Sequence, residues 1–386
     1  MTAAPIRVVQ VVDRVQLESW IRFPRESVYP AATPWVPPLD RDVRRLLDPR
    51  VNPFFRRGTA QAYLALDAGG AVVGRIAAQV YHGHNVRHGE RTAFFGLLES
   101  KNEAHVTRAL LDAAAEFGAR RGCGLLRGPF NLTAMQEVGV LLSGFSEPPA
   151  LEQTYTAPFY PQLLELSGLQ PVHPMTTFRV DDVATVDPLD LLEDRHRLLL
   201  ATGRVRIRRI RMRHFDSELE VLRDLANDAF LEDPLYVPLT QEEMRFQFEH
   251  LRPLIDPELC LVAEVDGEPV GFVSAVPDAN PVLKRLNGRG GARLRLELMG
   301  FRRSRRDAAL LLMGVARQLQ GQGLIRVLHS RLIEALRRGG YGGLSTTWVA
   351  DANARSAASL LALGARPVHH LTLYQAAISP EGRVQT

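Results

Sequence analysis

The chain has 386 residues, 46% of them hydrophobic, with 47 Lys+Arg against 43 Asp+Glu and a formal charge of +4. That length suits two cores rather than one, no apolar run approaches the ~18 residues of a membrane span, and residues 1–5 carry no leader pattern. Cys123 and Cys260 stand far apart inside apolar runs, so they read as buried thiols in a reducing cytosol, and the pI of 9.3 is arginine-led and suits anionic partners.

In chain order, an N-terminal helical region leads to a hairpin, Ala62–Leu66 and Val72–Tyr81, around an Asp67-x-Gly69 turn. His82, His84 and His88 follow. Their spacing invites a metal reading, but no cysteine or further ligand accompanies them, so the stretch reads as a polar loop lining a cleft. The strand Thr92–Leu98 then runs into a long helix, Glu103–Ala119, with Asn102 as its cap. Another strand, a short helix and the strand Pro171–Val180 close this half. Leu191, Leu192, Arg195, Leu198 and Leu199 suggest a connecting helix ended by Gly203.

From Arg204 to Arg213, arginines alternate with Val205, Ile207, Ile210 and Met212, which predicts a strand with one charged face. Capping boxes at Ser217…Glu220 and Thr240…Glu243 predict two helix starts. A second hairpin occupies Leu259–Val265 and Val270–Val276. Val282 to Arg306 carries nine Lys or Arg against the single acid Glu297, interleaved with leucines. This is an amphipathic insertion, packed on its own domain or presented to a membrane surface. Aromatics do not interleave with its basic residues, apart from Phe301, which disfavours nucleic acid. The strand Ala308–Met313, the helix Leu324–Arg338 and, after a helix capped by Asn353, the strand Arg366–Tyr374 complete the chain. His369 and His370 should face opposite sides of that strand.

The second half echoes the first. Pro38 matches Pro238, Asp67 matches Asp266, Gly74 matches Gly271 and Gly168 matches Gly364, at offsets of 196 to 200 residues that drift in one direction. Chance matches would scatter. A duplicated domain is the economical account: 1–183, a connector at 184–204, and 205–386. Strands with helices between them predict an α/β fold with a mixed sheet, twice over.

The stretch Gly314 to Gly323 ends in Gln318-x-x-Gly321-x-Gly323 and opens the helix at Leu324. A glycine-rich loop between a strand and a helix N-terminus is an anion site, because its N–H groups are free and no Cβ blocks approach. The matching place in the first half, Glu99-Ser100-Lys101-Asn102-Glu103, lacks the glycines and carries two carboxylates. Anion binding is therefore expected in the second half alone.

The Gln318-x-x-Gly321-x-Gly323 spacing resembles the diphosphate loop of GNAT acyltransferases. Trp35-Val36-Pro37-Pro38-Leu39, Asn52-Pro53-Phe54-Phe55, Arg127-Gly128-Pro129-Phe130-Asn131, Glu137-x-Gly139 and Val276-Pro277-Asp278-x-Asn280 resemble a bacterial family of tandem GNAT proteins that includes the ceramide synthases. The likeness runs from about Ile21 to Tyr374. It implies two GNAT-like domains and an acyl-CoA co-substrate. The acyl-CoA would be held by Met313, Gly314, Val315, Gln318, Gly321, Gln322, Gly323, Leu324 and, on the pantetheine arm, Asn353. It also implies an amine acceptor, a sphingoid base in the ceramide synthases. Where that family has an Asn this chain has Met135, and where many GNAT proteins have an acidic Tyr it has Leu360.

Amide formation needs a base with its pKa near neutrality. The candidates are Glu137, Glu99 and Asp278, with Glu137 preferred because the apolar run Val138–Leu142 beside it would raise its pKa. No metal is expected. The reading is an acyl-CoA-dependent N-acyltransferase in the cytoplasm, touching the inner membrane peripherally through 282–306. The alternatives are acetyl transfer to a small amine or amino acid, and a non-catalytic tandem GNAT binding protein. The sequence sets no oligomeric state.

Overall fold

The computed structural model describes residues 5–304 and 306–385. Arg305 of the basic insertion and residues 1–4 lie outside the described residues, as do the side chains of Arg302 and Arg303.

The first half runs β1 (Arg7–Gln10), α1 (Arg14–Phe23), α2 (Asp40–Leu47), β2 (Gly58–Leu66), β3 (Val72–Tyr81), α3 (His82–His88), β4 (Thr92–Ser100), α4 (Ala104–Ala119), β5 (Leu125–Gly128), β6 (Val140–Ser143), α5 (Tyr160–Leu166) and β7 (Gln170–Val180). The connecting helix is α6 (Asp194–Ala201). The second half runs β8 (Val205–Arg209), α7 (Phe215–Ala229), α8 (Gln241–Glu249), β9 (Cys260–Val265), β10 (Glu268–Pro277), α9 (Asn280–Leu286), α10 (Ala292–Ser304), β11 (Asp307–Val315), α11 (Leu324–Arg338), β12 (Gly343–Thr346), β13 (Val349–Ala350), α12 (Ala354–Leu361) and β14 (Arg366–Ala377).

These strands form one sheet in the order β1-β2-β3-β4-β5-β14-β7-β12-β11-β10-β9-β8, with β6 on β14 and β13 on β7. The two halves exchange their last strands. Tyr374 of β14 pairs with Gly128 of β5, and Val180 of β7 pairs with Leu344 of β12. Side chains follow the backbone. Leu371, Leu373 and Tyr374 complete the core around Phe94, Phe95 and Leu110 of the first half. Phe178 and Val180 complete the core around Leu328, Leu332 and Leu344 of the second. Burying each such side chain stabilises the other half by about 1.5–3 kcal/mol. A third cluster spans the halves and joins Leu39, Ala150 and Leu151 to Leu222, Phe248 and Val276.

Local expectations mostly hold. Thr240 Oγ1 accepts from Glu243 N at 3.2 Å and Glu243 Oε2 accepts from Thr240 N at 2.8 Å, closing the capping box of α8. The Ser217 box does not form. Helix α7 begins earlier, at Phe215, whose ring is buried, so Ser217 already lies in the first turn. Asn102 is not a cap either. Lys101 N bonds Val73 O and Glu103 N bonds Lys101 O, a tight turn out of β4 that leaves the N-cap place to Glu103.

The stretch His82–His88 is a helix, not a loop. His84 is buried with Nε2 3.2 Å from Glu90 Oε2. Among the described residues no group of His, Cys, Asp or Glu is placed to hold a metal. Cys123 and Cys260 are buried free thiols. His369 is buried against Thr177 and His370 is exposed beside Thr176, on opposite faces. No helix among the described residues is long and apolar enough to cross a membrane.

Candidate active site

The second half of the sheet opens at β11. Its ladder with β12 runs from Asp307↔Gly343 to Leu310↔Thr346, and Thr347 N makes the last bond, to Leu310 O at 3.0 Å. On the other edge the β10 register slips between Ser274 and Ala275, which leaves Leu311 as an extra residue. Such a bulge bends its strand and ends pairing. A cleft lies where the strands part. Leu310–Met313 form one lip, Thr346–Ala350 and Asn353 the other, and Phe230, Phe248, Leu251 and Leu360 supply apolar wall.

The glycine loop continues from this lip. Arg317 N donates to Asp228 Oδ2 at 2.8 Å, and a tight turn covers Arg317–Leu319. Gly321 has φ 79° and Gly323, the N-cap of α11, has φ 85°. Neither N–H takes a backbone partner among the described residues, and the first turn of any helix adds further free donors. Nothing lies within 4 Å of where a Gly321 Cβ would stand. Gln318, Gly321 and Gln322 are exposed, with Gln322 Nε2 3.3 Å from Gln318 O, while Leu324 is buried. Free donors beside an open Gly321 fit a diphosphate. Met313 and Asn353 line the cleft from opposite lips, whereas Gly314 and Val315 are buried and carry the strand to the loop. Asn353 Oδ1 also caps α12 by accepting from Ser356 N at 3.1 Å.

The first half closes the equivalent opening. β4 and β5 pair only over Thr92–Phe94 and Leu125–Arg127. The loop after β5 then fills the gap. Asn131 Oδ1 accepts from Leu97 N at 2.7 Å, where Leu97 turns to φ 50°. In place of a glycine loop stands a buried polar cluster. Tyr160 Oη donates to Glu99 Oε2 at 2.6 Å and accepts from Ser100 N at 2.8 Å. The Arg75 guanidinium lies 4.1 Å over the Trp20 ring. Burial pushes Glu99 up to about 7 and Arg75 down to about 10.

The three carboxylates named as bases are not brought together. Glu99 belongs to that cluster and lines neither cleft. Asp278 accepts from Asn280 N at 2.9 Å at the start of α9; burial raises it to about 6, and it also lines neither. Glu137 opens onto a second pocket and accepts from Asn131 Nδ2 at 3.2 Å. Glu137 is exposed as a residue, with Val138 and Gly139 buried beside it. Desolvation, with Glu152 and Glu99 adding like charge, pushes it up to about 7.

The second pocket lies between the halves. Trp35, Pro37, Pro38, Leu151, Tyr155, Phe246 and Leu283 give it apolar walls, and the acids Asp42, Glu137 and Glu152 outnumber the bases Arg45 and His250 on its lining. Gln136, Glu152 and Gln247 line both openings. Glu152 Oε1 lies 3.3 Å from His250 Nε2, and Glu152 Oε2 accepts from Gln247 Nε2 at 3.4 Å. Gln247 Nε2 also donates to Met135 O at 2.8 Å, and Gln247 Oε1 accepts from Gln136 Nε2 at 2.8 Å. Sequence reasoning passed over Glu152, His250 and Gln247. They stand about a hundred positions apart in the chain, and no spacing signal links them.

Residues 219–365 match the acetyltransferase (GNAT) family. The bacterial ceramide synthase of Caulobacter vibrioides is 30% identical over 364 residues, covering 91% of this chain and 92% of its own length. The chain belongs to the tandem GNAT family. Protein YghO of Escherichia coli is likewise 30% identical, covering 94% of this chain and 93% of its own. A tandem GNAT protein from the clavulanic acid biosynthesis pathway shares the fold with TM-score 0.57 at 17% identity, over 97% of this chain and 98% of that one. As a tandem GNAT protein the chain is an acyltransferase. Both halves of the mixed sheet are accounted for by this fold.

Proposed function

We propose that this tandem GNAT protein transfers a long-chain acyl group from acyl-CoA to the nitrogen of a primary amine, with a sphingoid base as the leading acceptor. The observation that carries the reading is the open cleft between β11 and β12 beside a glycine turn that is clear of side chains at Gly321 and backed by His196 at Gly323. The loop would take the diphosphate and Asn353 the pantetheine arm. The first half would bind no CoA, since Asn131 fills its opening and the buried Tyr160, Glu99 and Arg75 stand where a glycine loop would be. We keep 1–183 and 205–386 as the two units, joined by 184–204.

Chain length and acceptor rest on three supports. One relative is named a ceramide synthase. The cleft wall is apolar and aromatic at Phe230, Phe248 and Leu251. The second pocket joins apolar walls to carboxylates, which suits an aliphatic cation. Helix α10 exposes Leu296 and Met299, each 69% accessible, on a basic segment, which supports peripheral contact with an anionic membrane face from the cytoplasm. Acetyl transfer to a small amine is the second reading, because the loop recognises CoA and not the acyl chain. A series of acyl-CoAs from acetyl to palmitoyl, read by thiol release with sphinganine or glycine, tests both. Faster turnover of palmitoyl-CoA with sphinganine is expected; turnover of acetyl-CoA with glycine alone would reverse the choice.

A further inference from the structure

Two cavities meet at a wall built from both halves, and the wall holds one carboxylate. Gln136, Glu152 and Gln247 line the thioester cleft and the inter-half pocket alike. The other acids each face one side. Glu137 opens only on the inter-half pocket, and Asp233 only on the cleft, where its Oδ1 already accepts from Leu235 N at 2.8 Å. Glu152 is held from the opposite half: each of its oxygens meets one donor, His250 Nε2 or Gln247 Nε2, both on the segment that begins with α8. A carboxylate has about four lone-pair sites, so acceptor capacity remains. Side-chain exposures of 26% for Glu152 and 24% for His250 leave both reachable from the cavities. The backbone of Glu152 is left-handed, at φ 63°, a conformation a non-glycine residue keeps only where its surroundings fix it. The turn that closes around it supplies that fixing: Gln153 N donates to Ala150 O and Ala150 N donates to Gln153 Oε1, both at 3.1 Å.

We propose that Glu152 is the catalytic residue that takes the proton from the acceptor amine, that the amine arrives through the inter-half pocket, and that His250 is a positioning residue for it. The assignment rests on the acyl-transfer reading above. An alkylammonium gives one proton to the Glu152 carboxylate. The freed nitrogen lone pair attacks the thioester carbonyl carbon, the C–N bond forms and the carbonyl π pair moves to oxygen. The pair returns, the C–S bond breaks and CoA leaves as thiolate. Nitrogen loses its second proton. Of the two protons released, one neutralises the thiolate and the other passes to water.

The test uses the full chain, with palmitoyl-CoA and acetyl-CoA as donors and sphinganine, dodecylamine and glycine as acceptors. The pair that gives wild-type thiol release is carried forward. Glu152→Gln should lower kcat by roughly 10²–10⁴-fold, the range of a lost general base, while CoA binding by calorimetry stays within about twofold. His250→Gln retains a donor for Glu152 and should hold kcat within about fivefold, whereas His250→Leu should lower kcat more than it raises KM. Should Glu152→Gln fail to fold, Glu152→Asp, which keeps the charge and withdraws it, should still lose at least tenfold in kcat. Near wild-type kcat in Glu152→Gln, or in Glu152→Asp if that is the variant that folds, overturns the assignment and leaves the acyl-transfer reading standing. A wild type that releases no thiol with any pair removes the acyl-transfer reading and the assignment with it.

Discussion

The imidazole of His196, on the connecting helix, packs directly on Gly323 at the start of α11: a Cβ added to residue 323 would overlap its Nε2. His196 is buried, and its Nδ1 accepts from Glu193 N at 3.1 Å. The glycine at 323 is thus required twice, by its φ of 85° and by the ring above it. The connector between the halves forms part of the glycine loop's support.

Gly323→Ala and Gly321→Ala both place an L-residue at positive φ, which costs about 1–2 kcal/mol. Only the first also meets a side chain. CoA affinity measured by calorimetry should fall at least tenfold in Gly323→Ala and less in Gly321→Ala. His196→Ala added to Gly323→Ala should recover part of the loss. Equal losses at the two glycines would show that the contact with His196 is immaterial.

Truncating Leu373 on β14 or Phe178 on β7 should destabilise the half that did not encode it. Leu373→Ala removes a fully buried side chain from the first-half core, at a cost of about 2–5 kcal/mol. Hydrogen exchange should accelerate first in β4 and β5 for Leu373→Ala, and in β11 and β12 for Phe178→Ala. Uniform acceleration across the sheet in both variants would mean that the exchanged strands fuse the halves into one cooperative unit.

Asn353→Ala removes the cap bond to Ser356 N and should cost about 1 kcal/mol of stability. It also removes the amide from the cleft lip. Asn353→Ser keeps a capping oxygen, so it should restore the melting temperature but not the KM for acyl-CoA. Recovery of both by serine would assign Asn353 to structure alone.

Glu99 contributes a pH dependence of known sign. Its folded-state pKa, about 7, lies above the ordinary carboxylate value, so the native state holds a proton that the unfolded chain has released. Stability therefore declines as pH rises from about 4.5 towards 7, by at most about 1.4 kcal/mol per pH unit for one such group. Glu99→Gln cannot ionise and should flatten this slope in urea titrations between pH 5 and 8. Parallel curves for wild type and variant would place the proton elsewhere.

Much of the architecture was readable because it is local. The hairpins declare themselves in alternation and turn residues, α11 in its apolar stripe, and the duplication in the nearly constant offset between Asp67 and Asp266 or Gly168 and Gly364. The glycine turn was readable for the same reason, since Gly321 and Gly323, at φ 79° and 85°, are needed by the backbone itself. Ser217 and Asn102 misled because a capping pattern states only that a side chain suits a helix start; burial of Phe215 and the tight exit from β4 fixed the starts elsewhere. The histidines of α3 became a helix because His84 finds Glu90 and a buried place against Phe94.

By itself the sequence determined the α/β grammar, the repeat, and the glycine turn that the second half has and the first lacks. Only the tertiary structure decided that β7 and β14 change places, that His196 covers Gly323, and that Glu152 rather than Glu99 or Asp278 stands between the two cavities. The reason is the range of the forces. Period, turn and cap are settled within a few residues, whereas strand partners and cavity walls depend on which distant surfaces bury each other, and no short spacing records that.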